Sequence, residues 1–431
     1  MITLVILFCI YYIFTSILIY RKSRFFIIPY TLLFLYTVFT QIGYLAYPDK
    51  LSLYSFGQYY GEEIFLFYWL YVFLSFVFIF LIFLLIYNKE DNLLGLRIEV
   101  SRNSNYKFKF FYILFIVFYQ LILLFFLLKN YHILSYYNQG VLKNNKLWFY
   151  LFSFDSLIIF SLFVKIISAS NKVEKVYYIA LIGISLFIFL ITSIRSGQRI
   201  EFVMMMMSIF TFLLMYKKNS IKSTRNKIYL IVLLVIIILF SQSIRSLRGT
   251  EINLLDFITS YFDYKALFSF LKFENLVFQD WLVPSLTLIT SMYKGIIFPF
   301  TVLESNLEVL IPLISHQSLG SILSRIIDPF GWAGYGYYIL TEGYNFMGFM
   351  GFMYSSFIFV FGFRILELFF CNSKDELFNA YLYGILGFIS LNVVRGQSAM
   401  LIKSIYFYIL PSIILFILST EKKVFLSKCK K

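Results

Sequence analysis

The sequence predicts an all-α protein that crosses a membrane about eleven times, and three observations predict it. Apolar residues make up 61% of the 431 positions and charged residues only 14%, for a mean hydropathy of +0.82. No soluble core buries that much apolar surface, so lipid must act as solvent. Many apolar stretches approach the roughly 20 residues that cross a hydrocarbon layer of about 30 Å. A membrane barrel would instead alternate apolar and polar residues over about ten positions, and runs such as Leu66 to Ile86 are continuous.

The spans fall at residues 2–20, 26–47, 63–87, 108–128, 147–169, 176–194, 200–216, 228–244, 344–363, 377–394 and 398–418. The first has no basic region before it and no small-residue cleavage site after it, so it reads as a retained span rather than a signal peptide. Glu62-Glu63 marks the start of the third span. Orientation follows from the Lys/Arg bias of the connections. Arg21, Lys22 and Arg24 lie in the first connection, and Lys89, Arg97, Arg102, Lys107 and Lys109 near 88–109. Lys217, Lys218, Lys222, Arg225 and Lys227 follow the seventh span, and five lysines end the chain. With those segments in the cytoplasm, the N-terminus is outside and the C-terminus inside. Counting 281–303 as a further span would export the lysine-rich tail, so eleven is preferred. The whole of 1–431 is read as a single transmembrane domain. Residues 245–343 form one large external segment, whose mixture of apolar runs and carboxylates suits amphipathic helices lying in the interface.

Several function classes drop out. The chain lacks a Gly-rich Lys-Ser/Thr loop and a dinucleotide fingerprint, so no nucleotide cofactor is expected. Two distant histidines and three scattered cysteines (Cys9, Cys371, Cys429) give no metal spacing and no disulfide logic. No nucleic-acid module is visible, and the formal net charge of +15 fits anionic lipid headgroups. Repeated halves and broken helices, common in transporters, are not apparent. Asp155 and Lys403 lie within spans, where charge is costly, so each is placed against a polar cavity, although Lys403 could equally snorkel outward.

Three short arginine turns stand out against this background. Ser193-Ile-Arg-Ser-Gly-Gln-Arg199 separates two apolar runs, Ser243-Ile-Arg-Ser-Leu-Arg-Gly249 ends another, and Arg395-Gly-Gln precedes the last. In the topology above, Arg195, Arg199, Arg245, Arg248 and Arg395 all fall outside, against the positive-inside bias. One such arginine would be read as a headgroup or helix-end contact. Five at three span ends point to a shared anionic ligand, because the planar guanidinium makes parallel charge-assisted bonds to phosphate. A departing pyrophosphate could be stabilised this way without a metal.

A second stretch runs from His316-Gln-Ser-Leu-Gly320 through Gly331-Trp-Ala-Gly-Tyr-Gly336 to Glu342-Gly-Tyr-Asn-Phe-Met-Gly348. Its glycines permit close backbone approach, and Trp332, Tyr335, Tyr337 and Tyr338 offer faces for sugar rings. A base that takes a proton from a sugar hydroxyl would come from His316, Glu342, Asp328 or Glu251.

The order of these features resembles the Wzy-type polysaccharide polymerases of bacterial O-antigen and capsule assembly. The matching residues are Ser193 to Arg199, Ser243 to Gly249, Gly334 through Glu342, Asn345 and Gly348, and Arg395 before the last span. Arg325 to Gly336 also fits an Arg-x10-Gly element of the family. The resemblance implies a membrane glycosyltransferase related in fold to the lipid-sugar (GT-C-like) transferases and O-antigen ligases. It implies that oligosaccharide units carried on undecaprenyl pyrophosphate are joined at the outer face of the bacterial cytoplasmic membrane. Arg195, Arg199, Arg245, Arg248 and Arg395 would then hold pyrophosphate, and His316 or Glu342 would activate the acceptor hydroxyl. A chain-length regulator and a repeat-unit flippase are the implied protein partners. An O-antigen ligase-like transferase and a lipid-linked oligosaccharide flippase are the alternatives.

Overall fold

Helices occupy the ranges of ten of the eleven predicted spans; the eighth, 228–244, lies outside the described residues. The computed structural model describes residues 2–46, 62–87, 96–102, 107–130, 146–169, 172–196, 200–216, 282–310, 319, 322–323, 326, 337–370, 373, 375–419 and 422–428. In chain order these form α1 (Ile2–Lys22), α2 (Ile27–Ala46), α3 (Glu62–Tyr87), β1 (Leu96–Arg102), α4 (Lys107–Asn130), α5 (Lys146–Ser168), α6 (Lys172–Ser196) and α7 (Ile200–Met215). After residues 217–281 come α8 (Leu282–Tyr293), α9 (Pro299–Leu310), α10 (Ile339–Met347), α11 (Gly351–Phe370), α12 (Glu376–Val394), α13 (Ala399–Ser419) and β2 (Lys422–Lys428). Among the described residues, six helices are long and apolar enough to cross a membrane. Large apolar side chains such as Leu7, Phe14, Leu85, Phe125 and Phe187 face outward, as lipid-facing positions do.

The chain divides into two compact units, the first formed by Met1–Leu94, Lys272–Leu368 and Ile389–Tyr406. In that unit α8 packs on α2, α3 and α10. Residues Leu286 to Met292 of α8 are all buried. With 12 residues each, α8 and α9 reach only about 18 Å, short of a crossing. The turn between them contains Gly295 at φ +60°.

The apolar run 339–370 does not form one straight span. Ser355 Oγ donates to the Ile339 carbonyl at 3.0 Å, whereas 16 residues of straight helix would put about 24 Å between them. α10 therefore folds back on α11, through a 3-10 turn at Gly348–Met350 with Gly348 at φ +59°. The two helices touch at glycine: a β-carbon on Gly343 would overlap Ser355 Oγ and the Gly351 carbonyl. Ser356 donates to the Ser75 carbonyl at 3.0 Å and Tyr71 to the Leu340 carbonyl at 3.0 Å, which fastens this hairpin to α3. Such hydroxyl-to-carbonyl bonds and small-residue contacts are the usual adhesive between helices in lipid. The sequence reading, which saw no interrupted helices, missed these breaks and the π-turn Ile405–Ile409 inside α13.

At the far end of α11, Tyr87 donates to Glu367 Oε2 at 2.9 Å and Ser23 to Glu367 Oε1 at 3.4 Å. Arg364 sits 4.3 Å above the Tyr87 ring and 3.4 Å from Glu367 Oε2. The α1–α2 connection, the end of α3 and the end of α11 therefore share one end of this unit.

The second unit comprises Gly95–Leu271, Phe369–Phe388 and Phe407–Lys431. Gly384 and Gly387 of α12 admit close approach to Phe160 of α5 and to Thr211 and the Ser208 carbonyl of α7. Asp155 is fully buried and is met by Gln120 Nε2 at 2.9 Å, which also donates to Ser185 Oγ at 2.9 Å. Gln120 thus ties α4 to α5 and α6 at Asp155, whose Oδ2 is buried without a hydrogen-bond partner. β1 and β2, read from sequence as loop and tail, form an antiparallel ribbon from Leu96↔Lys428 to Arg102↔Lys422. Pairing brings the α3–α4 connection and the C-terminal tail together.

The glycine contact yields a direct test. Gly343→Ala overpacks the α10–α11 corner and should cost about 1–3 kcal/mol, lowering the unfolding midpoint in detergent. Gly183→Ala, inside α6 where nothing lies within 4 Å of an added β-carbon, should not destabilise and should gain up to about 1 kcal/mol of helix propensity.

Candidate functional site

Glu342 lies at the centre of the site. Every residue of α10 from Ile339 to Asn345 is buried, so its polar side chains must find partners inside the protein. Glu342 is 0% exposed. Its Oε1 accepts bonds from Ser398 Oγ at 2.6 Å, Asn306 Nδ2 at 2.7 Å and the Tyr354 hydroxyl at 3.1 Å. Its Oε2 accepts the Ser398 backbone N–H at 2.6 Å.

Ser398 is the residue before α13, where the first backbone N–H groups have no partner within the helix. Its own side chain makes no capping bond, because the hydroxyl is turned to Glu342. A carboxylate from another helix thus does the capping, in the position that the helix dipole favours for negative charge. On the other flank of the same turn, Gln397 Nε2 donates to Ser305 Oγ at 2.9 Å. Asn306 Nδ2 also reaches Ser398 Oγ at 3.3 Å. The Arg395-Gly396-Gln397-Ser398 turn is therefore held between α9 and α10, and it begins where α12 ends, with the Arg395 N–H on the Leu391 carbonyl at 3.0 Å. Arg395 is partly buried, and no described carboxylate is paired with it.

One helical turn beyond Glu342, Asn345 fastens the other neighbour of α10. Its Nδ2 donates to the Ile296 carbonyl at 2.8 Å, and its own carbonyl accepts the Phe298 N–H at 2.8 Å. The Glu-x-x-Asn spacing places both residues on one side of α10. One grips the start of α13, and the other grips the α8–α9 turn. Tyr337 supports the second grip: its hydroxyl lies 3.4 Å from Asn345 Oδ1. Its ring sits in a closed cluster with Val302, Leu319 and Leu323. The face expected to stack on sugar is covered, a correction with a simple cause, since the ring completes the core under α9.

Of the predicted site residues, the described side chains are Arg395, Glu342, Tyr337 and Tyr338, and Tyr338, expected to offer a face to sugar, is buried like Tyr337. Arg195 lies in the last turn of α6, with its side chain outside the described residues. Arg199, Arg245, Arg248, His316, Trp332 and Tyr335 also lie outside them. Sequence reasoning missed Asn306, Ser305, Tyr354, Gln397 and Ser398. The available signal was the cluster of amides and hydroxyls in otherwise apolar surroundings. Among the described residues, no group of three or more His, Cys, Asp and Glu side chains is placed to hold a metal.

A family model described as O-antigen polysaccharide polymerase Wzy matches residues 1–428. No curated protein and no solved structure matches the chain.

Two substitutions grade the carboxylate cluster. Glu342→Ala strands three side-chain donors and a backbone N–H, and should cost about 2–4 kcal/mol. Ser398→Ala keeps the N–H bond to Oε2 and should cost only about 1–2 kcal/mol. The double variant should cost less than the sum, since both remove the same contact. Unfolding midpoints of the purified protein in detergent check all three.

Proposed function

The chain belongs to the O-antigen polysaccharide polymerase Wzy family, and from that premise we propose that it joins oligosaccharide repeat units carried on undecaprenyl pyrophosphate. The donor is the growing chain on its lipid carrier, and the acceptor is a hydroxyl of a fresh lipid-linked unit. A glycosidic C–O bond forms at the donor's anomeric carbon as the bond to pyrophosphate breaks. The polyprenyl pyrophosphate leaves with its electron pair, and the hydroxyl proton passes to a base.

Arg195, Arg199, Arg245, Arg248 and Arg395 are assigned to the pyrophosphate, where fixed cations stabilise charge that develops as the bond breaks. The observation that carries the site is the clamp on the Arg395 turn, because charge stabilisation is strong only when the donor is already in place. Glu342 is a positioning residue in this reading. Both of its oxygens are occupied and neither is exposed, so His316 is the preferred base. Trp332 and Tyr335 remain the surfaces proposed for sugar stacking.

The site is assigned to the outer face. The Arg395 turn lies at the Tyr354 end of α11, about 20 Å along the helix from Glu367, and the basic first connection lies at the Glu367 end. Eleven crossings, an external N-terminus, a cytoplasmic C-terminus and a GT-C-like relationship complete the proposal, supported by the Lys/Arg bias and by the pairing of β1 in the α3–α4 connection with β2 in the tail, which an even number of crossings between them allows.

Arg195→Ala, Arg245→Ala and Arg395→Ala should each leave the protein in the membrane while lowering polymerisation by about 100-fold or more. Single lipid-linked units should accumulate. Gel analysis of the cell's polysaccharide and of its lipid carriers reads both outcomes. Long polymer stranded on the carrier would point instead to a ligase, and normal chain length in all three variants would overturn the assignment.

A further inference from the structure

We propose that Asp155 is a proton-binding site in the membrane interior, where it forms the neutral acid half of a closed ring with the Gln120 carboxamide. This rests on the membrane-spanning fold and not on the polymerase reading. Asp155, Gln120 and Ser185 lie near the middle of α5, α4 and α6, helices of 23, 24 and 25 residues. Each is therefore at least about 13 Å from either end of its helix. Asp155 is fully buried, and among the described residues no Lys, Arg or His pairs with it. A carboxylate ion at that depth with no cation beside it is among the costliest groups a membrane protein can hold.

The hydrogen bonds indicate how that cost is avoided. Gln120 Nε2 donates to Asp155 Oδ1 at 2.9 Å and to Ser185 Oγ at 2.9 Å, which uses both of its hydrogens. The atoms of the pair left buried without a partner are Asp155 Oδ2 and Gln120 Oε1. Both are acceptors while the acid is ionised, so neither can serve the other. A proton taken from water onto Oδ2 turns one of them into a donor. Its bond to Oε1 closes a ring with the Nε2–Oδ1 bond, and a single proton removes two unmet acceptors and the charge. The titratable side chains around the pair supply no alternative. Tyr119 of α4 lies within electrostatic reach of Asp155. Tyr112 bonds Ser161 of α5 at 2.9 Å, with Tyr178 of α6 and Tyr381 of α12 in electrostatic reach of Tyr112. Glu201 belongs to the first turn of α7. None of these carries positive charge, and Lys165 stands about 15 Å further along α5. An aspartate in the unfolded chain loses its proton near pH 4, whereas the ring keeps it. Folding stability therefore declines as pH rises above about 4, until the buried acid ionises.

Asp155→Asn is the direct probe, because its amide can donate to Gln120 Oε1 and accept from Nε2 with no proton to lose. Infrared spectra of the purified full chain in detergent at neutral pH should show a protonated-carboxyl C=O band that the variant lacks. The variant should unfold at the parent's midpoint or above it. As pH rises from about 4, the parent's unfolding constant should grow relative to the variant's by up to about tenfold per pH unit. Should the variant fail to fold, isotopic labelling of the aspartate carboxyls seeks the same band in the parent chain alone. A parent spectrum with no protonated aspartate overturns the proposal. So does a folded variant with a lower midpoint and the parent's pH profile, which would mean that the charge is needed. Stability of the parent that follows sodium concentration rather than pH also overturns it, and assigns the site to a metal cation.

Discussion

A carboxylate sealed inside a membrane protein must be met by donors, and the arrangement around Glu342 follows from that requirement. Its two oxygens collect bonds from Ser398, Asn306 and Tyr354, drawn from α9, α11 and the start of α13. Hydrogen bonds to a charged group contribute about 1.5–3 kcal/mol each, and the cost of leaving such a group unmet is larger still. The short helix that carries Glu342 makes sense in these terms. With nine residues, α10 spans about 13 Å and cannot cross a bilayer. It reaches back along α11 far enough to place Glu342 and Asn345 against their neighbours.

This arrangement changes what the site residues are taken to do. From sequence, Glu342 reads as a base and Tyr337 as a sugar platform. In the structure the buried Glu342 bonds the Ser398 turn and the buried Tyr337 lies beside Asn345, which supports the proposal that they are scaffold for the turn that carries Arg395. For chemistry that depends on stabilising a departing pyrophosphate, rigidity behind the arginine matters as much as the charge itself, because a donor that must reorganise during the reaction gives up much of its advantage.

The helices were legible because continuous apolar runs leave few other structures open in lipid. Their interruptions were not. Residues 339–370 read as one apolar stretch, and only the contact between Gly343 and Gly351 turns that stretch into a hairpin. The ribbon illustrates the same limit differently. Leu96 to Arg102 alternates apolar and polar residues as a strand should, yet its partner lies at the far end of the chain, and no local pattern announces it. Asn306 and Gln397 look unremarked for the same reason: their roles are defined by Glu342 and Ser305, which are remote in sequence. Glu342 itself stands out as a carboxylate in the glycine- and aromatic-rich stretch, which marks the place without revealing the task.

The central claim is that Glu342 immobilises the turn bearing Arg395, and hydrogen exchange at that turn addresses it most directly. Mass-resolved exchange on the intact protein would compare peptides covering residues 395–404 and 23–38 in the parent chain and in Glu342→Gln. Clamping predicts that exchange across 395–404 quickens by about tenfold or more, since an amide NH2 replaces one of the two oxygens that Ser398 bonds, while 23–38 stays as protected as before. Equal protection of 395–404 in the two proteins would contradict the account.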